Sequence, residues 1–457
     1  MKVSRARAAA LLLFASLLAP SAQAIRLNLD KATELALQAD PRIDEQRAYK
    51  RKAEALLQEA EGSAGWRFDL TSFAALTTGV DGGFYEGGAE SCSSNCKPRD
   101  DVYDLDQGLS LWTGLTFSIV KPLTTFGLLE NYQQAAQQNI VVQQQQVRLQ
   151  RDVTRRDVAK AYYGYLAARD GRLLMEDTEK RLQSALELVK QWLDEDNGQA
   201  KLSDRYALEA GLALVQRYRS EAEGLEAIAL AGLRMLTGVG KDEKIEIEDR
   251  RLSPEALPDR PLQQWIETAL VQRAEMKQVE AGLAARRALV EAKKASAKPI
   301  VFAGVAGSMA WSPDRESLDN PFLYDPFNHV AASPLIGLRW QWESGAQPAR
   351  VEQARADLDA LVSKAAFARQ GIPFQVAEQY HMVQSKYRAQ QQMRESALAA
   401  RRWMIAAYSD FEAGLEKAEK ILTAMQAYVL AYGDYLKLVN EYNNHLVQLN
   451  SVSGVYE

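Results

Sequence analysis

Residues 109–119 read Leu-Ser-Leu-Trp-Thr-Gly-Leu-Thr-Phe-Ser-Ile. Every second side chain except Thr113 is apolar, and most of those between are small or polar, which is the period-2 pattern of a β-strand. Residues 336–342 alternate in the same way. The run 109–119 has about the 9–11 residues that a tilted strand needs to cross a bilayer, and the run 336–342 is shorter. The pattern therefore predicts membrane strands with one apolar face.

Two further runs are the expected partners of these strands. We predict four strands, at about 66–76, 109–120, 300–311 and 335–342, with aromatic residues near their ends that suit a membrane interface. The loops between partners, 78–107 and 312–333, are long and polar or Gly-rich. Outer-membrane barrels place such loops outside the cell. Alternation alone is also compatible with a soluble sandwich.

Each strand pair precedes a long helical hairpin. From 127 to 194 the chain has no Pro and is rich in Ala, Gln, Leu, Arg and Glu, so one helix would reach about 100 Å at 1.5 Å per residue. We expect hairpins at about 127–238 and 349–454, and a break or kink at Pro373.

This layout occurs twice. Leu29 and Leu262 open similar segments, and the turn at Gly198 lies as far before Gly238 as the turn at Gly414 lies before Gly454. Internal repetition decides the fold before any single motif does. We predict a mainly α protein with membrane β-strands, in two repeats at 25–250 and 251–457, each with two strands and one hairpin.

The N-terminus has the marks of a secretory signal peptide at 1–24. A basic start precedes an apolar run from 8 to 18, and Ala22-Gln23-Ala24 resembles a cleavage site. Loss of three basic residues would take the formal charge from -5 to -8. An acidic balance makes nucleic acid an unsuitable partner.

The two cysteines, Cys92 and Cys96, lie in a Gly/Ser/Asn-rich stretch of a chain expected to be exported. A local disulfide is the natural interpretation. Metal binding is the alternative, but two thiols without a neighbouring His make a poor site. No catalytic, cofactor or metal constellation stands out elsewhere, so we expect no enzyme.

Four strands cannot close a barrel in lipid. Open edges leave backbone groups unpaired at several kcal/mol each, and bacterial barrels start at about 8 strands. Three chains would supply twelve strands. The sequence therefore favours a homotrimer in contact with outer-membrane lipid.

The chain resembles the TolC-like outer-membrane efflux protein family over essentially all of its mature length. The matching stretches are 29–41, the strand-to-helix passage 114–123, its counterpart 337–342, and the segments 408–415 and 441–454. The resemblance implies a homotrimer with a 12-stranded β-barrel in the outer membrane and an α-helical periplasmic tunnel.

The resemblance also implies a function. Such a protein is the outer-membrane channel of a tripartite efflux or type I secretion system, and it docks onto a periplasmic adaptor and an inner-membrane pump or secretion ATPase. The alternatives are a periplasmic coiled-coil adaptor or a structural envelope protein. An adaptor should have only one hairpin and a β-rich soluble domain.

The hairpin tips are the candidate site, because in the family they face the adaptor and line the periplasmic aperture. Family members with a paired acidic ring at the aperture would have a carboxylate where this chain has Lys420. The resemblance therefore does not imply such a ring for this chain. The predicted tip residues are Asn197, Gly198, Ser203, Asp204, Gly414, Leu415, Glu416, Glu419 and Lys420.

Overall fold

The structure is a computed structural model that describes residues 25–81, 85–86, 97–100, 104–195, 198–317 and 324–455. The predicted signal peptide, Asn197, and the predicted disulfide of Cys92 and Cys96 lie outside these ranges. Within them, no helix is both long and apolar enough to cross a membrane.

The described chain is mainly helical. In chain order its elements are β1 (Ile25–Leu27), α1 (Leu29–Ala39), α2 (Pro41–Gly62), β2 (Arg67–Thr78), β3 (Leu109–Thr124), α3 (Leu128–Asp194), α4 (Leu202–Thr237), β4 (Ile245–Ile247), α5 (Leu262–Gln272), α6 (Ala274–Ala295), β5 (Ile300–Trp311), β6 (His329–Arg339), α7 (Ala346–Glu412) and α8 (Ala418–Ser453).

Corresponding elements of the two halves have equal lengths. α1 and α5 have 11 residues each, α2 and α6 have 22, and β2 and β5 have 12. The long helices α3 and α7 both have 67 residues, and α4 and α8 both have 36. The two halves are therefore built to one plan, in which only the strands β3 and β6 differ in length.

The four long strands form one antiparallel sheet in the order β2-β3-β5-β6. In one row Leu70, Phe117, Gly307 and Ala332 face each other across the four strands. β2 and β6 are the edges, and neither has an outer partner within the described chain. Unpaired edges of this length invite pairing with another chain.

The sheet has two chemically different faces. The apolar face carries the even-numbered residues of β2 and β6 and the odd-numbered residues of β5 and of β3 up to Lys121. Its large side chains are exposed, among them Phe68, Leu70, Leu76, Leu109, Leu111, Met309, Val330, Ile336 and Leu338. The opposite face, called the polar face below, carries mostly small and polar residues, including Arg67, Asp69, Thr71, Thr116, Ser118, Ser308, Ser333 and Arg339.

The last strand differs from its predicted bounds of about 335–342. β6 starts at His329 and ends at Arg339, so that Trp340 and Trp342 follow the strand. The part of β6 that precedes its predicted start contains Pro334, which pairs with Val305 of β5. Pro is tolerated on an edge strand because its missing N–H can point away from the sheet.

The chain divides into two compact units, and each unit draws on both predicted repeats. The first contains Gln143–Gln278, Ala365–Glu457 and the described part of Met1–Tyr49; the second contains Lys50–Val142 and Val279–Lys364. The second unit holds the four-stranded sheet. The first holds the hairpins α4 and α8, together with the parts of α3 and α7 that pack against them.

A buried cluster joins the hairpin ends in the first unit. It includes Leu182, Val189, Trp192, Leu208, Met404, Phe411, Ile421 and Met425, contributed by α3, α4, α7 and α8. A second cluster packs α1 against α3, α4 and α8 beside the short parallel pair β1 and β4. Burial of these apolar faces stabilises the long helices more than helix propensity does.

Of the break or kink expected at Pro373, a break does not occur. α7 continues through this residue, although Pro cannot donate a hydrogen bond to the preceding turn. Ile372 and Val376 on either side are buried, at 4% and 0% exposure. Packing of these neighbours offsets a cost of about 3 kcal/mol for Pro inside a helix.

Candidate functional site

The two hairpins turn at glycines with the same backbone conformation. Gly198 and Gly414 both have a φ of 74°, which glycine adopts without the steric cost of a Cβ. In the second hairpin Gly414 N–H donates to Phe411 O at 2.8 Å, and Leu415 N–H donates to Asp410 O at 2.9 Å. This is the bond pattern of a helix that ends in a left-handed glycine.

Asp204 lies in the first turn of α4 and is bonded to the backbone. The N–H of Lys201, the N-cap residue, donates to Asp204 Oδ2 at 2.8 Å. A lysine side chain offers no acceptor, so only this half of a capping box forms. The carboxylate also lies at the positive end of the helix dipole. Asp204 therefore stabilises the start of its helix in addition to carrying charge at the tip.

Lys420 occupies the equivalent position in α8, three residues after the N-cap Lys417. Its Nζ lies 2.5 Å from Oε1 of Glu416. The hydrogen bond that Lys420 donates to Glu416, followed by the negative charge of Glu416, raises the pKa of Lys420. The second tip thus holds an internal ion pair where the first tip holds a carboxylate.

The two tips touch each other. A Cβ added to Gly414 would lie 3.0 Å from Nε2 of Gln199 on the first tip. Beneath the turns the rings of Trp192 and Phe411 pack with centroids 5.0 Å apart. Two leucines that begin or precede the outgoing helices remain exposed, Leu202 at 52% and Leu415 at 77%.

Three of the described tip residues have side chains that are hydrogen-bonded or paired, and the other five are exposed. Asp204 is bonded within the first hairpin, and Glu416 and Lys420 are bonded within the second. Ser203, Gly198, Gly414, Leu415 and Glu419 are exposed. Sequence reasoning missed Gln199, Lys201 and Lys417. The last two could have been found from the repeat, because they have the same separation as Gly198 and Gly414 and each precedes the outgoing helix.

No metal chemistry is evident in the described part of the chain. Within it, no group of three or more His, Cys, Asp or Glu residues could hold a metal ion. Two of the histidines have polar partners: His329 contacts Ser308 Oγ at 2.9 Å, and His445 contacts Gln379 Oε1 at 2.9 Å. The tips present exposed leucines and a partly exposed ion pair to their surroundings.

Comparison with known proteins finds a family that matches part of the chain. The sequence pattern of the family described as outer membrane efflux protein matches residues 265–455. The chain is also 29% identical to Protein CyaE of Bordetella pertussis over 217 residues, which are 46% of this chain. The matched part spans 44% of that relative's length.

Solved structures match over nearly the whole chain. The Campylobacter jejuni CmeC outer membrane channel has a TM-score of 0.75 at 13% identity, covering 94% of this chain and 86% of that one. The outer membrane protein VceC of Vibrio cholerae has a TM-score of 0.73 at 16% identity, covering 93% and 96%. Residues 265–455 therefore match the outer membrane efflux protein family, and the chain as a whole has the fold of the CmeC outer membrane channel and of VceC.

Proposed function

We propose that the protein is the outer-membrane channel of a tripartite efflux or type I secretion system. Substrate would pass unchanged from an inner-membrane transporter through its helical tunnel and its barrel. The observation that carries this proposal is the four-stranded sheet with an exposed apolar face and two unpaired edges. Family and fold are those of outer-membrane efflux channels, which are not enzymes.

The edges of the sheet require further strands. In hydrocarbon each unpaired N–H or C=O costs several kcal/mol, so an open sheet cannot span a bilayer. Pairing β6 of one copy with β2 of the next removes both edges, and three copies close a ring of twelve strands. The apolar face would then contact lipid, and the polar face would line the lumen.

The helical hairpins supply the periplasmic part of the path. Family members are trimeric channels that work with adaptors and inner-membrane pumps. For this chain we propose that the joined tips around Gly198 and Gly414 dock onto a periplasmic adaptor, which connects the channel to a pump or a secretion ATPase. Asp204, Glu419 and the Glu416–Lys420 pair would place charge at the aperture.

Extraction and conductance test this function. The protein is expected to fractionate with the outer membrane, to require detergent, and to migrate as a heat-resistant trimer that conducts ions in planar bilayers. A detergent-free monomer without conductance would instead favour a periplasmic adaptor or a structural envelope protein. Co-purification of the trimer with a periplasmic adaptor, and its loss on replacing the exposed Leu415 by Asp, tests the docking role of the tips.

A further inference from the structure

The apolar face of the sheet carries a single charged side chain within its four strands. That residue is Lys121, near the end of β3 that leads into α3. The other charged strand residues at this end, Arg67, Asp69 and Arg339, lie on the polar face, as the pairing register requires. A lone lysine on a lipid-facing surface needs an anionic or aqueous partner because burying an unpaired charge in hydrocarbon is costly.

Lys121 sits beside a tryptophan on the same face. Its Nζ lies 6.0 Å from the ring centroid of Trp66, and Trp66 is 58% exposed. On β5 the neighbour of Lys121 is Ala303, whose small side chain leaves room for the long lysine side chain, and Ile336 lies one strand further along the same row. Tryptophan and lysine together are typical of the membrane interface, where a ring lies at headgroup level and an amine reaches toward phosphate.

A second lysine lies at the same end of the sheet. Lys298 lies two residues before the start of β5 and is exposed. Next to it, Nε1 of Trp340 donates to Ala297 O at 3.0 Å, and Trp340 packs edge-on against Trp342 with centroids 5.8 Å apart. Among the described residues neither Lys121 nor Lys298 forms an ion pair with a carboxylate.

We propose that this end of the sheet binds the phosphate groups of anionic phospholipids in the periplasmic leaflet of the outer membrane. Lys121 and Lys298 supply the positive charge, and Trp66 and Trp340 pack against the glycerol and upper acyl region. The inference rests on the proposed function, which puts the apolar face in lipid.

A phospholipid fits this surface better than an acidic protein does. Lys121 shares the apolar face with the exposed residues Phe68, Ile336 and Leu338. A ligand that covers both parts needs an apolar body joined to an anionic head. A membrane anion is attracted by about 1 kcal/mol per lysine near the surface, which corresponds to about fivefold in affinity for each.

The sheet provides a matched control for the charge itself. Arg67 and Arg339 lie at the same end as Lys121 and Lys298, but on the polar face. The double variant Lys121→Gln/Lys298→Gln and the double variant Arg67→Gln/Arg339→Gln remove the same charge from the same level. Only the first removes Lys121, which is the charged side chain of the four strands that lies on the apolar face.

Lipid titration of the purified trimer tests the proposal. Delipidated trimer in neutral detergent is titrated with dioleoyl phosphatidylglycerol or dioleoyl phosphatidylcholine, and bound lipid is counted by native mass spectrometry. We expect the lysine variant to bind phosphatidylglycerol about 25-fold more weakly than wild type. The arginine variant should change by less than about twofold, and phosphatidylcholine should bind all three proteins alike.

Equal phosphatidylglycerol binding by the lysine variant and the wild-type trimer would overturn the inference. So would an equal loss in the arginine variant, or an equal loss of phosphatidylcholine by the lysine variant, because either result would make the effect unspecific. These outcomes leave a conducting trimer in place and so concern the lipid site alone. A wild-type protein that stays monomeric without detergent would overturn both this inference and the proposed function.

Discussion

Asp40 and Arg273 hold the same position in the two halves of the chain and carry opposite charges. Each is the C-cap of a short helix, α1 or α5, and each follows the first residue of its helix, Leu29 or Leu262, at the same distance along the chain. Asp40 pairs with Arg42 at 2.9 Å, and Arg273 pairs with Glu275 at 3.0 Å. The order of the two charges in the pair is therefore reversed between the repeats.

Both pairs tie a short helix to the same level of a long one. Arg42 reaches Asp157 on α3 at 2.8 Å, and Arg273 reaches Gln375 on α7 at 2.7 Å. Asp157 and Gln375 are equally far along α3 and α7 from the first residues of those helices. The connection therefore has the same geometry in both repeats, although the positions of its acidic and basic residues are exchanged.

Replacement of Asp40 by Asn should destabilise the fold at neutral pH. Burial raises the pKa of Asp40, but hydrogen bonds from Arg42 and Thr154 outweigh it and hold the pKa below its ordinary value. The loss of charge-assisted bonds at this buried side chain should cost about 1.5–3 kcal/mol. The lower urea midpoint of Asp40→Asn checks this, and Asp44→Asn, at an exposed carboxylate, serves as the control.

The pH dependence of this effect has a definite sign. Because the pKa of Asp40 is lowered by folding, its contribution is complete above the unfolded value of about 3.9 and is lost as pH falls through the folded value. The midpoints of wild type and Asp40→Asn should therefore converge below about pH 4. A gap that stays constant into acid would mean that the carboxylate charge is not the cause.

Asp152 should behave in the opposite way. Burial raises its pKa, and the hydrogen bond from Ser451 only partly counteracts this. The folded state then holds its proton more tightly than the unfolded state, so stability falls as pH rises from about 3.9 through the folded pKa. We expect Asp152→Asn to be at least as stable as wild type at pH 7 in urea unfolding. A large loss at pH 7 would contradict this sign.

Phe411 should be essential for the packing of the two hairpins at the end where their tips meet. It is 2% exposed and packs on Trp192, so Phe411→Ala should lower the free energy of unfolding of this end by about 3–5 kcal/mol. Hydrogen exchange of the amides near the ends of α3 and α7 measures the effect. Leu415→Ala, at a residue 77% exposed, is the control and should leave protection unchanged.

The charge of Asp204 should influence ion flow. Its hydrogen bond at the start of the helix should influence the stability of that helix. Asp204→Lys should shift the ion selectivity of the trimer toward anions, because it changes the charge at the mouth by two units per chain. Asp204→Asn removes the charge and keeps an acceptor for the Lys201 N–H. Reversal potentials in planar bilayers separate the two effects. Unchanged ion selectivity in both variants would contradict a position of Asp204 at the aperture.

Most of the fold could be predicted from the periodicity of apolar residues and from the internal repeat. The outer-membrane channel fold is confirmed, and the helix lengths follow from long polar stretches without Pro. The start of β6 was missed because Ala331, Ala332, Ser333 and Pro334 have weak strand preference, and only pairing with β5 makes them a strand. The continuous helix at Pro373 likewise depends on packing that no local pattern reveals.

The candidate site was only partly accessible from the sequence. The turn glycines and the contrast between Asp204 and Lys420 were visible in the repeat. The contact of Gly414 with Gln199 and the packing of Trp192 on Phe411 join separate hairpins, so spacing along the chain could not indicate them. The roles of the tip residues stay predictions.

Edge-to-edge cross-linking tests the closed trimer most directly. Thr71→Cys on β2 is combined with a cysteine at Ala331, Ser333 or Leu335 on β6, in a chain with Cys92→Ser and Cys96→Ser. Within one chain β3 and β5 separate the two positions, by about 14 Å at normal strand spacing, too far for a disulfide. A bond can form only between copies.

If three copies close the barrel, oxidation of at least one of these pairs in outer membranes should give a reducible ladder that ends at three chains. A ladder that ends at two chains, one that continues beyond three, or no cross-link at any of the three registers would contradict a closed twelve-stranded barrel.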